Sequence, residues 1–333
     1  MEYRNLGRTG VKVSPLCLGC MMFGRKADEK LSMEIVDKAI DEGINFLDTA
    51  NAYQRGMSEE YVGKALKRNG KRDRIILATK VHGKMNDDDP NAGGISRRHI
   101  IKECEASLKR SQTDYIDLYQ LHRPQSDIPI DESLRAFDDL IKAGKVRYIG
   151  TSTFASWQVV NSIWVSKELG LNRFISEQPP YHLLDRRIER ELIPAAQNFG
   201  LAILPWSPLA GGFLTGKYKR GKERPAESRF KESSEWADHH FTEEAFKVLD
   251  VVEEIAKEKN CTPAQLSLAW TIQKPEITSS IIGPKNIEQL IDNLGALKVK
   301  FTDEDNKRVD AASKPGRTIL SYYEADFSYY KYR

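Results

Sequence analysis

The chain alternates eight times between a short apolar run and a longer segment of helical periodicity. The eight apolar runs predict strands at Ser14–Gly19, Ile44–Ala50, Ile75–Val81, Ile116–His122, Val146–Ser152, Phe174–Gln178, Leu201–Pro208 and Ser279–Gly283. Several runs are almost continuously apolar, which is typical of parallel strands covered by helices. Eight strand–helix units favour an α/β fold of the closed (β/α)8 TIM-barrel type over an open doubly wound sheet.

The intervening segments carry the 3.6-residue period of amphipathic helices. Glu29–Glu42, for example, places Ile35 and Val36 on one face. Ser58–Lys67 predicts a helix that begins with a serine cap, and Arg186–Phe199 predicts another helix. Glycines follow four of the predicted helices and are expected to end them: Gly43, Gly144, Gly170 and Gly200.

Two regions depart from the repeating pattern. Glu2–Val13 contains two short extended runs around a Gly-rich turn, and it predicts a β-hairpin over the N-terminal mouth of the barrel. Between strands seven and eight, Ala210–Pro275 predicts a long binding loop and two extra helices near Thr242–Lys259 and Thr262–Gln273. Because no linker divides the chain, residues 1–333 are predicted to form a single domain.

Composition excludes several classes of function. The formal net charge is +3, from 51 Lys and Arg against 48 Asp and Glu, which is too balanced for a nucleic-acid-binding protein. No run approaches the ~18 apolar residues of a membrane span, and no apolar signal core follows Met1, so we expect a cytoplasmic protein. Cys17 and Cys20 form a lone C-x-x-C without further ligands, so no metal site is predicted.

Titratable residues end several of the apolar strands. Active sites of β/α barrels lie at the C-terminal ends of the strands, where Asp48, Lys80 and His122 stand, with Tyr53 in the loop after strand two. Singly, such residues are most often a helix cap, a solvated lysine or a structural histidine. Together at matching strand ends they favour a functional site, because buried charges require partners.

This combination suits proton transfer to a carbonyl group. A lysine ammonium stabilises the phenolate form of a neighbouring tyrosine, so Tyr53 can give a proton to a carbonyl oxygen as hydride arrives at the carbon. His122 is expected to orient that oxygen through a hydrogen bond.

Long spaced patterns in the sequence resemble the aldo-keto reductase family. Gly43–Ala50, followed by Tyr53, Gly56, Ser58–Glu59 and Gly63, resembles the first signature of that family. Further blocks resemble its histidine strand and later segments: Asp117–His122, Gly144–Gly150 and Trp206–Leu209. The resemblance runs from Leu6 to about Ala311 and is nearest to the bacterial and potassium-channel β-subunit branches.

The resemblance implies a catalytic tetrad and a cofactor. It places the tetrad on Asp48, Tyr53, Lys80 and His122, and it implies an NADP(H)-dependent oxidoreductase that reduces aldehydes and ketones, with Tyr53 as general acid. The family binds NADP(H) across the barrel mouth, in keeping with the absence of a G-x-G-x-x-G after any predicted strand.

Positions matching the family's cofactor-binding segments lie along most of the chain. Besides Asp48, they are Gly19, Cys20, Met21, Ser152, Thr153, Gln178, Trp206, Ser207, Pro208, Leu209, Ala210, Gly211, Gly212, Lys217, Arg229, Gly283, Lys285, Gln289, Asp292 and Asn293. The resemblance implies that Ser152 and Gln178 hold the carboxamide and that Trp206 stacks on the nicotinamide. Ser207–Gly212 is implied to cradle the pyrophosphate, and Lys285 to bind the 2′-phosphate.

Two other functions compete with the reductase. One is a cofactor-sensing regulatory subunit with weak reductase activity, against which the intact His122 argues. The other is an isomerase or lyase that uses Tyr53 and Lys80 without nicotinamide, which the cofactor-like segments disfavour. The expected partner is a small carbonyl compound, with neither nucleic acid nor membrane, and the oligomeric state is left open. The aromatic stretch Tyr322–Tyr332 is expected to wall the substrate pocket or to pack elsewhere.

Overall fold

The barrel strands follow the predicted runs. The computed structural model describes residues 1–226, 228–231, 238 and 240–320. Its strands are β1 (Arg4–Asn5), β2 (Lys12–Val13), β3 (Leu16–Gly19), β4 (Phe46–Asp48), β5 (Ile76–Val81), β6 (Ile116–Leu121), β7 (Val146–Ser152), β8 (Ser176–Gln178), β9 (Ala202–Ile203) and β10 (Ser280–Ile282). Strands β3 to β10 each fall within one predicted run, so the (β/α)8 prediction is confirmed.

Helices lie between these strands and cover the sheet. The described α-helices are α1 (Glu29–Asp41), α2 (Met57–Asn69), α3 (Arg97–Arg110), α4 (Ile130–Lys142), α5 (Ser156–Leu169), α6 (Leu192–Phe199), α7 (Glu243–Glu258), α8 (Pro263–Ile272), α9 (Ile287–Gly295) and α10 (Asp303–Ala312). The four glycines predicted to end helices all have positive φ, which confirms that prediction.

Parallel pairing runs around the barrel and closes it. The strand order is β10-β3-β4-β5-β6-β7-β8-β9, with every pair parallel. Between β9 and β10, the Thr278 N–H donates to the Ile203 carbonyl at 3.0 Å and the Ile281 N–H donates to the Pro205 carbonyl at 2.8 Å. The carboxyl ends of all eight strands therefore meet at one rim, where the predicted site residues lie.

The N-terminal hairpin seals the opposite end of the barrel. Strands β1 and β2 pair antiparallel. Leu6 and Val13, which flank the turn, are fully buried and pack with interior residues such as Cys17 and Phe46. The Arg8 N–H also donates to the Gly200 carbonyl at 2.8 Å. The predicted hairpin and its place at the N-terminal mouth are thus confirmed.

Two local predictions were wrong. Ser58 does not cap α2, because Gly56 takes the cap position and the buried Ser58 hydroxyl donates to the Cys20 carbonyl at 2.8 Å. Helix α6 begins only at Leu192, because a separate 3₁₀ turn spans Arg187–Glu189 and the backbone of Glu191, with a φ of −136°, departs from helical geometry.

The segment between β9 and β10 contains the two expected helices. Thr242 and Thr262 are the N-caps of α7 and α8, and each side chain accepts a backbone N–H three residues on, at 3.1 Å. Within the described ranges, no helix is both long and apolar enough to cross a membrane. The aromatic stretch Tyr322–Tyr332 lies outside the described residues.

Gly7 offers a test of how tightly the hairpin seals the barrel. Its φ is +58°, and an added Cβ would lie 2.6 Å from the Ile175 carbonyl oxygen and 2.8 Å from the Ala202 nitrogen. Gly7→Ala should lower the free energy of unfolding by about 1–3 kcal/mol, because backbone atoms cannot move aside. Gly10→Ala, with nothing within 4 Å, is the matched control and should change it by less than about 0.5 kcal/mol. Urea denaturation measures both, and equal effects would contradict the tight seal.

Candidate active site

A buried ion pair lies at the C-terminal rim of the barrel. The Lys80 ammonium lies 2.5 Å from Asp48 Oδ1, and the side chains are 0% and 3% exposed. Lys80 Nζ also donates to the Thr49 carbonyl at 2.9 Å. The second carboxylate oxygen, Asp48 Oδ2, accepts from the amides of Gln120 at 3.2 Å and Gln178 at 2.9 Å. Each charge therefore has the partners that a buried ion needs.

Tyr53 completes the surroundings of this lysine. Lys80 Nζ donates to the Tyr53 hydroxyl oxygen at 3.2 Å, and Tyr53 itself is partly buried. Burial lowers the pKa of Lys80, but Asp48 and the Tyr53 oxygen together more than offset this and the pKa is raised. The lysine therefore stays an ammonium, with its charge directed at the phenol oxygen.

His122 faces the same tyrosine. The two rings meet edge to face, with centroids 5.6 Å apart and an interplanar angle of 82°. Burial, together with the nearby cations Lys80 and Arg123, holds the pKa of His122 well below its usual value. The imidazole is therefore neutral at pH 7, with one nitrogen able to donate a hydrogen bond.

The turn that presents Tyr53 has an unusual backbone. A short 3₁₀ turn spans Tyr53–Gly56, and within it Gln54 and Arg55 adopt φ of 49° and 53°. Side chains other than glycine rarely adopt this left-handed conformation, so the surroundings must hold it in place. Arg110 lies directly against the turn, since a Cβ on Gly56 would be 2.4 Å from Arg110 Cδ.

Arg110 belongs to a buried polar network that joins this turn to β5. Its guanidinium bonds Glu59 at 2.6 Å and Glu103 at 3.0 Å. Glu59 accepts from the Thr79 hydroxyl at 2.5 Å, next to Lys80, and Glu103 accepts from the Asn51 amide at 3.1 Å. The network therefore holds both sides of the Tyr53–Lys80 contact. No role was predicted for this network from the sequence, because its members are far apart in the chain.

Gln120 was also assigned no role, although the sequence contains a signal for it. It lies two residues before His122, so both point to the same face of β6. The sheet register also pairs Gln120 with Lys80 on β5. Because every second residue of a strand faces the same side, the position of His122 alone would have pointed to the Gln120 amide.

The residues predicted around the nicotinamide end surround the ion pair. Gly19 permits close packing, since a Cβ there would lie 2.6 Å from Ile281 Cγ2. The Cys20 N–H donates to the Asp48 carbonyl at 2.8 Å, and Met21 next to it is partly buried. This segment of β3 therefore borders Asp48 directly.

Ser152, Thr153 and Gln178 lie together on the next side of the rim. The Ser152 hydroxyl donates to the Gln178 carbonyl at 2.9 Å. Thr153 has a φ of 63°, and its hydroxyl oxygen accepts from Arg123 Nη1 at 2.9 Å. The Gln178 amide links this corner to Asp48. The structure thus brings the predicted carboxamide-binding residues beside the tetrad.

A loop of left-handed backbone follows β9. Trp206, at its start, is partly buried, and its N–H donates to the Pro179 carbonyl at 2.9 Å. The residues of positive φ in this loop are Ser207 (57°), Ala210 (49°), Gly211 (66°) and Gly212 (96°). Pro208 and Leu209 between them are buried and partly buried. Inside the loop, the N–H groups of Ala210 and Gly212 donate to the carbonyls of Ser207 and Leu209 at 2.8 and 2.9 Å, and the Gly211 N–H donates to Ser207 Oγ at 3.1 Å. These three donors therefore stabilise the turn itself.

Three predicted cations converge on this loop. A Cβ on Gly212 would lie 2.7 Å from Lys217 Nζ, so the ammonium lies directly over the backbone. Partial burial, and then repulsion from Lys285 and Arg229, lowers the pKa of Lys217. A cluster of like charges beside this loop fits a polyanion such as a dinucleotide.

Of the residues predicted to bind the adenosine end, some lie at the barrel mouth after β10 and others lie within helix α9. Gly283 follows β10 with open space beside it, and the Lys285 N–H donates to Gln289 Oε1 at 3.0 Å. Asp292 and Asn293 lie near the end of α9 rather than at its opening, where Asn286 is the N-cap.

Asp292 already has partners within the fold. Its carboxylate accepts from the Thr262 hydroxyl at 3.1 Å and from the Gln265 amide at 2.8 Å. These bonds join α9 to the N-terminus of α8.

A comparison with known families agrees with this geometry. A model described as the aldo/keto reductase family matches residues 15–314. The chain belongs to the aldo/keto reductase family. As a member of that family, this aldo/keto reductase is an oxidoreductase.

Similar curated proteins carry several names. This aldo/keto reductase is 40% identical over 312 residues to the "Uncharacterized oxidoreductase YrpG" of Bacillus subtilis (strain 168), covering 91% of the chain and 93% of the relative. It is 36% identical to a "Probable voltage-gated potassium channel subunit beta" of Oryza sativa subsp. japonica, covering 96% and 99%. It is 34% identical to the "Versiconal hemiacetal acetate reductase" of Aspergillus parasiticus, covering 92% and 95%.

A buried carboxyl group lies beneath the Thr153 corner. Glu177 accepts from the Thr151 hydroxyl at 2.5 Å and from the Phe154 N–H at 3.1 Å. Burial nevertheless outweighs these bonds and raises the pKa of Glu177 to about 8. This acid therefore titrates close to neutral pH while the rim remains folded.

Glu177→Gln should change how stability depends on pH. A carboxyl whose pKa is raised in the folded state stabilises the fold below its unfolded pKa, and that contribution is lost as pH rises to about 8. The melting temperature of Glu177→Gln relative to the wild type should therefore rise between pH 5 and pH 8, as thermal unfolding would show. The exposed control Glu168→Gln should show a constant difference. A flat profile for Glu177→Gln would contradict the titration.

Proposed function

We propose that this aldo/keto reductase reduces aldehydes or ketones to alcohols with NADPH, and that Tyr53 is the general acid. The observation on which this rests is the Lys80 ammonium, buried between Asp48 and the Tyr53 hydroxyl at 2.5 and 3.2 Å. A fixed positive charge beside a phenol oxygen stabilises the phenolate that remains after proton donation. Few other roles require a fully buried lysine to face a partly exposed tyrosine.

Each tetrad residue has a distinct part in this reaction. When bound, the reduced nicotinamide supplies a hydride to the carbonyl carbon. Tyr53 gives its hydroxyl proton to the carbonyl oxygen, and Lys80 stabilises the phenolate that is left. Asp48 fixes the position of Lys80. The neutral His122 donates a hydrogen bond that orients the oxygen, a role that its lowered pKa supports.

The proposed cofactor is NADP(H), bound across the rim. The pyrophosphate is proposed to lie against the left-handed loop Ser207–Gly212, where the small residues Ala210, Gly211 and Gly212 permit close approach, with the cations Lys217 and Arg229 beside it. Lys285, close enough to Lys217 to lower its pKa, is our candidate for the 2′-phosphate. The match of Lys285 to the position at which the family resemblance places the 2′-phosphate supports NADP(H) over NAD(H).

The substrate and the cellular setting follow from the same features. The proposed substrate is a small carbonyl compound, and the relative named "Versiconal hemiacetal acetate reductase" supports such chemistry. We also propose a cytoplasmic location. Its support is that all four cysteines are free thiols, as is usual in a reducing compartment.

Tyr53→Phe tests the general acid. Removing the hydroxyl should lower kcat for aldehyde reduction about 100- to 10,000-fold, because the proposed proton donor is then lost. NADPH binding, followed by tryptophan quenching, should change little, since the phenol ring remains. Tyr61→Phe on the surface of α2 is the matched control and should keep full activity. Full turnover by Tyr53→Phe would refute its role.

Lys285→Met tests the 2′-phosphate site. Loss of one charge-assisted contact should weaken NADPH binding about tenfold while NADH binding stays nearly unchanged. Lys217→Met, near the pyrophosphate loop, should weaken both nucleotides. Lys300→Met, which is exposed and outside the rim, is the control and should affect neither. Fluorescence titration measures the dissociation constants of NADPH and NADH for the wild type and each variant, and equal losses for both nucleotides in Lys285→Met would reassign that lysine.

A regulatory subunit is the second candidate function. Its support is the similarity to the Oryza sativa protein named a potassium channel subunit beta, which extends over 99% of that relative. A stoichiometric partner recovered with the purified chain, together with negligible turnover of a panel of aldehydes and ketones, would favour it. Turnover at ordinary rates without a partner would favour the reductase.

A further inference from the structure

A cleft of about 430 Å³ lies at the N-terminal face of the barrel, opposite the tetrad. It is bordered by the tip of the hairpin and by the starts of β7 and β8. Three arginines line it, Arg8, Arg147 and Arg173, and its apolar wall includes Ile149, Leu171 and Ile175. A volume of this size is in the range of small-molecule sites.

The positive charge of this cleft is not balanced by carboxylates. Among the residues that the structure describes, none of the three guanidinium groups lies within 4.0 Å of a carboxylate, whereas the nearby Arg72 pairs with Asp117 at 2.8 Å. Burial, and then repulsion from Arg8, lowers the pKa of Arg173. Burial raises the pKa of Asp117, and Arg147 is close enough to oppose that rise, but this carboxylate is already paired with Arg72. The remaining excess of positive charge favours an anion from solution.

Part of this arrangement has a structural explanation. Arg173 Nη2 donates to the Phe199 carbonyl at 2.6 Å and so caps the C-terminus of α6, a favourable place for a cation. Its Nε–H, however, is buried without an acceptor in the described part of the chain. The capping role of Arg173 explains neither its unbonded Nε–H nor the presence of Arg8 and Arg147 in the cleft.

Arg147 is held at the edge of the cleft by an aromatic ring. Its guanidinium carbon lies 4.6 Å from the ring centroid of Tyr115, and Nη1 donates to the Gly144 carbonyl at 3.3 Å. Stacking fixes the plane of the guanidinium and leaves other N–H groups for a ligand. Planar guanidinium groups suit the oxygens of phosphate and carboxylate.

We propose that this cleft binds a small amphipathic anion, in which a phosphate or carboxylate group is attached to an apolar body. The anionic group contacts Arg8, Arg147 and Arg173, and the apolar body lies against Ile149 and Leu171. The site is separate from the rim at which cofactor and carbonyl substrate are proposed to bind. The proposal for this cleft therefore does not depend on the reductase activity.

Phenyl phosphate is the first probe, and isothermal titration calorimetry of the full chain is the measurement. The buffer is free of phosphate, ionic strength is fixed, and saturating NADPH keeps the probe out of the cofactor site. If NADPH does not bind, the Lys217→Met/Lys285→Met variant is used instead to prevent binding of the probe at the proposed cofactor site. The test of the cleft therefore remains valid even if the proposed function is wrong. Benzoate tests the carboxylate, and inorganic phosphate tests the need for an apolar body.

The expected result is one site for phenyl phosphate that is weakened about tenfold or more in Arg8→Ser and in Arg147→Ser. Both side chains are exposed, so their loss should leave the fold intact. Arg98→Ser, an exposed arginine on α3, removes the same charge elsewhere and should bind the probe normally.

Three outcomes would overturn the proposal. They are no heat of binding at millimolar phenyl phosphate, equal weakening in Arg98→Ser, and binding of inorganic phosphate as tight as that of phenyl phosphate. Binding of benzoate would extend the site to carboxylates, and its absence would restrict the site to phosphate esters.

Discussion

The organisation of the rim depends on keeping one ammonium ion out of water. A lysine buried this deeply would lose its proton or pull water inward unless a carboxylate lay beside it. Asp48 meets that need, and its own second oxygen then requires donors, which Gln120 and Gln178 supply from two further strands. One buried charge thus fixes side chains on β4, β5, β6 and β8 at once. A parallel barrel suits this demand, because it brings the ends of those strands to one point.

Around this fixed centre the backbone is strained. Seven residues other than glycine have positive φ in the described chain, and five of them lie at the rim: Gln54, Arg55, Thr153, Ser207 and Ala210. Strain of this kind persists only where rigid surroundings impose it. Arg110 and its two glutamates impose it under the Tyr53 turn. The rim therefore combines rigid strand ends with loops held in conformations that short peptides would not keep.

Much of this was predictable from the sequence, and the rest was not for physical reasons. Apolar runs with the length and pattern of parallel strands predicted all eight barrel strands. The presence of a titratable residue at the end of such a run predicted Asp48, Lys80 and His122 as site residues. The resemblance to a known family added Tyr53 and the cofactor segments, whose roles stay predictions. The Arg110 network was not predicted, because its contacts join residues up to 52 apart and none has a periodic signature. Ser58 was wrong as a cap because serines hydrogen-bond as readily inside a fold as at a helix start. The predicted start of α6 was wrong because a separate 3₁₀ turn and a non-helical residue, Glu191, precede the helix.

The contact between Gly56 and Arg110 has a consequence for divergence among relatives. A side chain cannot be added at position 56 while a long one occupies position 110, because the first carbon of the former would overlap the aliphatic part of the latter. Loss of the guanidinium would in turn leave Glu59 and Glu103 as two unneutralised carboxylates. Neither position can therefore change alone without harm. In an evolving lineage, position 56 should therefore stay glycine even where position 110 has changed, because its φ of +95° strains any other residue. Position 110, in contrast, should change only together with at least one glutamate.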